Sequence, residues 1–202
     1  MIGWTIISAL EADGIDRVMV STDSEEIAEV ARDYSVEVPF LRPEEISRDD
    51  TPGIEPILHA VRWCSQEEGY KPDYVICLQP TSPFRTTEDI EKAIRFAFDR
   101  DADSVVSVTP VDHHPNWMQV LDDDGRLNDF IEGGAEVIKR QDMEPVYALN
   151  GAIYLIRRDL LLSRKTFFVT DTFAYIMPPE RSLDIDTPWD MHLANLIFED
   201  KE

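Results

Sequence analysis

The feature that most constrains this chain is a rhythm: short β-branched runs alternate with helices that carry start signals. Arg17 to Thr22 reads as a first short strand. Asp23-Ser24 then caps a helix from Glu25 to Tyr34, with acids in its first turn. Val36 to Leu41 is a second short strand, interrupted by Pro39. Thr51-Pro52 predicts a helix reaching Gln66, with Pro56 delaying its start. Tyr74-Val75-Ile76-Cys77-Leu78 is a continuous apolar run, as expected of a strand covered on both faces. Thr86 with Asp89 forms a capping box for a helix from Glu88 to Phe98, and Ser104 to Val108 is another buried strand. A βαβα order of this kind predicts an α/β fold, a doubly wound and mostly parallel sheet.

The rhythm breaks after Pro110. Residues 111–146 are polar, with turns at Asp122-Asp123-Asp124-Gly125 and Gly133-Gly134. They read as an inserted hairpin or arm within an α/β domain made of residues 1–110 and 147–202. The sheet resumes over Ala148 to Ile156, and Phe173 to Met177 is a further strand. A last helix is capped by Thr187, with Pro188 at its first position and Asp190 at its third.

At 202 residues the chain can bury a core without disulfide or metal staples. Its 41 acidic and 19 basic residues give a formal net charge of −22. A field of that sign repels nucleic acid and anionic lipid, so neither is expected as a partner. An anionic substrate then requires a local basic cluster or a metal ion. The longest apolar runs are too short to span a bilayer, and Met1 to Trp4 lacks the pattern of a signal peptide. Cys64 and Cys77, both in apolar contexts, predict a reduced, cytoplasmic chain.

Three segments carry candidate chemistry. Gln79-Pro80-Thr81-Ser82-Pro83 follows a buried strand, and open α/β folds bind ligands outside the C-terminal strand ends. Its prolines either hold Gln79, Thr81 and Ser82 as a fixed polar set or simply stiffen a loop that caps its own backbone. Asp184-Ile185-Asp186 places two carboxylates on one face of an extended segment and Ile185 in the core. This is either a Mg²⁺ site or a cap with a surface acid. In Asn150-Gly151-Ala152-Ile153-Tyr154, strand alternation puts Asn150, Ala152 and Tyr154 on one face, which is either a ligand notch left by Ala152 between two hydrogen-bonding groups or simply a solvent-facing side of the strand. His113-His114 face opposite ways on an extended chain and have no companion ligand nearby, so they read as loop residues.

Taken in order, Trp4-Thr5-Ile6, Val20-Ser21-Thr22-Asp23, Pro39-Phe40-Leu41-Arg42-Pro43, Gln79-Pro80-Thr81-Ser82-Pro83, Asn150-Gly151-Ala152-Ile153-Tyr154 and Asp184-Ile185-Asp186-Thr187 resemble the acylneuraminate cytidylyltransferases. The resemblance covers essentially the whole chain. It implies a nucleotide-diphospho-sugar transferase type of fold and a homodimer in which residues 111–146 are the dimerisation arm. It also implies a reaction in which CTP and a nine-carbon 2-keto sugar acid give a CMP-sugar and pyrophosphate with Mg²⁺. By the same resemblance Asp184 and Asp186 are the catalytic metal-site acids, Asp186 the direct ligand. Arg42 and Ser82 are nucleotide-binding. Gln79, Asn150, Tyr154, Phe167 and Phe168 line the sugar pocket, and Arg140 reaches the neighbouring subunit's site.

The chain also departs from the family pattern. Trp117 follows His113-His114-Pro115-Asn116 where a Lys is usual, and Gly53 stands where a Ser is common. The family's opening strand and basic, glycine-rich triphosphate loop do not precede Met1-Ile2-Gly3-Trp4. The expectation is therefore that the 202-residue chain alone is poorly stable or self-associating and makes little CMP-sugar. Two alternatives stand beside the main reading. One is a 3-deoxy-octulosonate cytidylyltransferase, and the other a non-catalytic dimeric remnant. The Asn150–Tyr154 segment and the Phe167-Phe168 pair favour the larger, N-acylated acid.

Overall fold

The computed structural model describes residues 1–134 and 143–200. Two helices, α1 (Ile2–Glu11) and α2 (Glu25–Asp33), precede α3 (Ile54–Glu67). Then follow β1 (Tyr74–Cys77), α4 (Thr87–Asp99) and β2 (Ser104–Pro110). A small exposed hairpin, β3 (Gln119–Leu121) and β4 (Leu127–Asp129), lies between β2 and β5 (Tyr147–Arg157). The chain ends with α5 (Arg158–Arg164), β6 (Thr172–Ile176) and α6 (Pro188–Glu199).

The main sheet has the order β1-β5-β2-β6. β2 and β6 pair in parallel, while β5 is antiparallel to both β1 and β2. Three of the four strands therefore share a direction, and the sheet is mixed and mostly parallel. Adjacent residues go to opposite faces. On one face Val105 and Leu155 meet Ala97 of α4, and Ile153 meets Ile90, Ala93 and Ile94 of the same helix. On the other, Val106 and Ile156 meet Leu58 and Val61 of α3 and Leu161 of α5. Helices on both faces make the sheet doubly wound.

Local signals explain most boundaries. The Ser24 hydroxyl accepts from Ile27 N at the start of α2, and both capping boxes form, Thr86–Asp89 on α4 and Thr187–Asp190 on α6. Helix α3 begins at Ile54 rather than at Pro52, and the Thr51 hydroxyl instead accepts from Arg48 N. That start leaves Pro56 in the first turn, where its missing N–H has no intrahelical partner to lose. Residues 17–22 and 36–41 do not form full strands. They are joined by single parallel bridges, Met19 to Glu37 and Thr22 to Leu41, because Pro39 between them cannot donate to a ladder. Helix α5 has no counterpart in the sequence reading. Its Leu160-Leu161-Leu162 run gives no clear helical period, and it closes where Lys165 turns left-handed at φ 53°.

One ion pair ties α4 to the chain ahead of α6. Asp89 is only 1% exposed, and its carboxylate accepts Arg181 Nε at 2.8 Å and Nη2 at 2.9 Å besides closing the Thr86 box. Burial alone would raise its pKa, but the Arg181 and Thr86 hydrogen bonds outweigh it and hold the carboxyl below its ordinary 3.8. Burial, with the neighbouring Asp89 charge, pushes the Tyr175 phenol up to about 12. Asp89→Asn leaves Arg181 without its counter-charge and should cost about 2–3 kcal/mol in urea unfolding at pH 7, below the value for a fully buried pair because Arg181 is partly solvated. Because the folded-state pKa is depressed, this stabilisation is complete above the unfolded-state value. The difference between wild type and variant should shrink as pH drops below 3.8 and vanish below the folded-state value. A difference that does not change with pH would contradict the assignment.

Candidate active site

The loop after β1 turns inward. Ser82, Pro83, Phe84 and Arg85 are all buried, and Phe84 packs with Ile185 and Ala194. Ser82 N bonds back to Gln79 O at 3.3 Å, so the prolines and this turn fix the backbone at Gln79 and Ser82, while the Gln79 side chain is exposed. Below them the Arg85 guanidinium donates through Nη1 to Gln79 O (3.2 Å) and Ala152 O (2.8 Å). It therefore fastens this loop to β5. Burial lowers its pKa to about 10, so it remains charged at neutral pH.

Opposite the loop, β5 is irregular. Val106 of β2 faces Tyr154, but Val108 faces Leu149. Five residues of β5 thus pass two of β2, three more than a regular antiparallel ladder holds. The excess falls on Asn150-Gly151-Ala152, where Gly151 takes φ +71°. This corrects the expected alternation. Ala152 packs beside Ile153 against Ile90 and Ala93, and it leaves no notch beside Tyr154. The notch belongs to Gly151. A Cβ there would lie 2.6 Å from Gln79 Oε1, 3.2 Å from Asp184 Oδ2 and 3.4 Å from Ser82 Oγ.

The acidic segment reaches the same point. Ile185 N donates to Thr81 O at 2.9 Å, and the Ile185 side chain is buried against Phe84. The two acids flank it, Asp184 half-buried and Asp186 exposed. Asp190 accepts from the Asp186 and Thr187 amides and the Thr187 hydroxyl, so it serves the helix cap rather than the site. Asp184 Oδ1 is buried with no hydrogen-bond partner among the described residues. Tyr154 lies close enough to Asp184 and Cys77 for both to add to burial in raising its pKa, so its hydroxyl remains a proton donor. Cys77 itself is pushed up to about 11 by burial and stays an inert thiol.

The structure thus brings Gln79, Ser82 and Asp184 together around Gly151, with Tyr154 near Asp184. The other expected residues make other contacts. Arg42 bonds Asp23 (2.7 Å) and Ser47 (2.9 Å) beside His59, whose pKa burial and the nearby arginines lower. Phe167 is buried with Leu58 and Val106, its ring 5.3 Å from that of Tyr154, whereas Phe168 is exposed. Asn150 is buried and bonded to Ser107 and Ser182. Arg140 lies outside the described residues. Gly151 was not singled out by the sequence reading, although a glycine between an Asn and an Ala in a long strand is a bulge signal.

The converging donors are all oxygens: Gln79 Oε1, Ser82 Oγ and the Asp184 carboxylate. Such a set suits a hard divalent cation. No group of three or more His, Cys, Asp or Glu side chains is arranged for a metal among the described residues.

Comparison with known proteins gives this geometry a context. The cytidylyltransferase family model matches residues 1–188. The chain is 34% identical to the CMP-N,N'-diacetyllegionaminic acid synthase of Legionella pneumophila, over 98% of its own length and 85% of the relative's. It is 33% identical to an N-acylneuraminate cytidylyltransferase of Streptococcus agalactiae, over 99% of its length but 48% of that protein's, so it spans about half of that relative. The fold is shared with a CMP:2-keto-3-deoxy-manno-octonic acid synthetase solved with CTP, at a TM-score of 0.71 and 14% identity, covering 100% of this chain and 88% of the other.

The contact at Gly151 yields a direct test. Gly125 has a similar φ of +79° but nothing within 4 Å of its would-be Cβ. Gly125→Ala should therefore cost only the backbone strain, about 1 kcal/mol. Gly151→Ala also meets the Asp184 and Ser82 side chains at 3.2 and 3.4 Å and the movable end of Gln79 at 2.6 Å, and should cost about 1 kcal/mol more than Gly125→Ala by urea unfolding. Equal losses would show that the three side chains do not crowd Gly151.

Proposed function

The chain belongs to the cytidylyltransferase family, and from that membership we propose that it transfers CMP from CTP to a nine-carbon 2-keto sugar acid. The observation that carries this reading is the meeting of Gln79, Ser82 and Asp184 at Gly151. The names of the Legionella and Streptococcus relatives specify diacetyllegionaminic acid and N-acylneuraminate, which supports a nonulosonic acid as acceptor. In the reaction the anomeric oxygen bonds to the α-phosphorus. The bond from that phosphorus to the bridging oxygen breaks, pyrophosphate leaves, and the hydroxyl proton passes to solvent. The demand is alignment and charge neutralisation.

Asp184 and Asp186 would hold Mg²⁺, which when bound offsets phosphate charge that a chain of net charge −22 otherwise repels. Gln79 and the protonated Tyr154 hydroxyl donate to the sugar acid, and Phe168 offers it an apolar face. Ser82 and Arg42 serve the nucleotide. Two free cysteines, Cys64 and Cys77, support a reducing, cytoplasmic setting. No helix among the described residues is long and apolar enough to cross a membrane.

Residues 111–146 we assign to a homodimer interface. Leu121 is 70% exposed, Leu127 67% and Phe130 61%, an apolar surface that a second copy would cover. In that arrangement Arg140 completes the partner's sugar site.

Pyrophosphate release with CTP and Mg²⁺ tests the activity. Turnover is expected with N-acetylneuraminate or diacetyllegionaminate. Turnover with 3-deoxy-octulosonate alone would contradict the proposal. Asp186→Asn should lower turnover at least about a hundredfold, about 2.7 kcal/mol of barrier. Near-normal rates at saturating Mg²⁺ would remove Asp186 from the metal site. Mixing Arg140→Ala and Asp186→Asn subunits should restore one intact site per mixed dimer. No recovery, with both variants dimeric, would count against a shared site.

A further inference from the structure

We propose that His114 is a clasp that fixes how residues 111–146 leave the sheet, and that it thereby positions the homodimer interface assigned above. The inference rests on that reading of the interface. The sequence leaves His113-His114 as a pair of loop residues, and the structure separates them. His113 is exposed, whereas His114 is half-buried in the cleft between the segment leaving β2 and the segment returning to β5. The ladder between these strands ends at Pro110 opposite Tyr147, and Val111 N adds one bond to Val146 O at 3.2 Å. Beyond that point His114 ties the two segments again. Its Nδ1 lies 3.2 Å from Asn116 N and its Nε2 3.1 Å from Glu144 O. A backbone N–H can only donate and a carbonyl can only accept. The ring is therefore the neutral tautomer with its proton on Nε2, and both nitrogens are engaged. It has no lone pair left for a metal and no proton left for a substrate.

The clasp acts on the rest of this segment through one short turn. His114 caps the 3₁₀ turn Pro115–Trp117, which closes through Trp117 N to His114 O at 2.9 Å and Met118 N to Pro115 O at 3.0 Å. Strand β3 starts directly after it, at Gln119. The far side of the hairpin packs back on the same turn. Phe130 N donates to Met118 O at 3.1 Å, and a Cβ on Gly134 would lie 2.7 Å from Asn116 O, an approach that only glycine permits. The turn therefore sets the direction of the hairpin that carries Leu121, Leu127 and Phe130, and His114 sets the turn against the returning segment. These apolar side chains supply contact area to a second copy, while the clasp holds them pre-organised for it.

Two conservative variants separate the two halves of the ring. His114→Asn keeps an acceptor near the Nδ1 position and loses the reach to Glu144. His114→Gln keeps a donor near the Nε2 position and loses the cap. In hydrogen exchange His114→Asn should speed the Val111 amide about fivefold or more and leave the Asn116 amide near wild type. His114→Gln should do the reverse, and the Met177 amide, held by Val108 O within the sheet, should be unchanged in both. In sedimentation both variants should dimerise about tenfold more weakly than wild type, since each breaks one link between sheet and hairpin. Their pyrophosphate release per subunit should fall at low protein concentration and recover as concentration rises, a dependence that a residue acting within one site would not give. Exchange and sedimentation need no turnover, so they decide the role of His114 whatever the sugar acid. Wild-type exchange at Val111 in His114→Asn overturns the clasp. Loosened amides with an unchanged dimerisation constant overturn its role at the interface. A wild type that stays monomeric removes the interface reading and the positioning role with it, while exchange at Val111 still decides whether His114 ties the two segments.

Discussion

Where β5 passes Ser107 it carries three residues more than β2, and a hydrogen-bonded ladder absorbs such an excess only by expelling backbone from the sheet. The expelled amides and carbonyls must then find other partners or carry a desolvation cost. Side chains supply them here. Ser107 bonds the Ile153 amide, Asn150 the Ala152 amide, and Arg85 the Ala152 carbonyl. A positive φ at Gly151 completes the turn, and the absence of a side chain there leaves the Gln79, Ser82 and Asp184 side chains free to approach one another. The site is thus a consequence of how one strand disposes of three surplus residues.

The electrostatics follow from the same packing. A chain with 41 acids cannot attract a triphosphate through its overall field. Local groups must reverse the sign. Arg85 is buried beneath the loop with two carbonyl acceptors, and its Nε and Nη2 find no protein partner among the described residues. A charge so placed is weakly screened and acts over a distance at which surface ions do not. Asp184, with one unpartnered buried oxygen, provides the opposite pole and an acceptor for a cation. Asp89 and Arg181, by contrast, satisfy each other and set only the position of the chain that leads to Asp184.

Much of this was legible in the sequence, and what was not has a physical reason. Helix starts were read from Ser24, Thr86 and Thr187 because a capping bond is local and needs no tertiary context. The buried alternation of Val105 and Val106 was equally plain. The direction of β5 was not, since strand polarity depends on where the chain returns from the segment after Pro110. The bulge was hidden for a related reason. Asn150 to Tyr154 reads as a regular period of two until Ser107 is known to lie opposite it. The three site segments were found individually, but only the fold shows that Gly151, and not Ala152, is the small residue at their junction. Phe167 illustrates the converse, since an aromatic pair in sequence does not say which ring enters the core.

The claim on which the account turns is that these segments make one nucleotide and metal site. Its most direct test is a crystal of the protein grown with CTP and Mn²⁺, with anomalous scattering used to locate the ion. The account predicts a peak at the Asp184–Asp186 segment, about 2.1 Å from a carboxylate oxygen, with the CTP phosphates completing its shell. Ordered CTP with manganese only on remote surface acids, or with its phosphates away from Gly151, would contradict it.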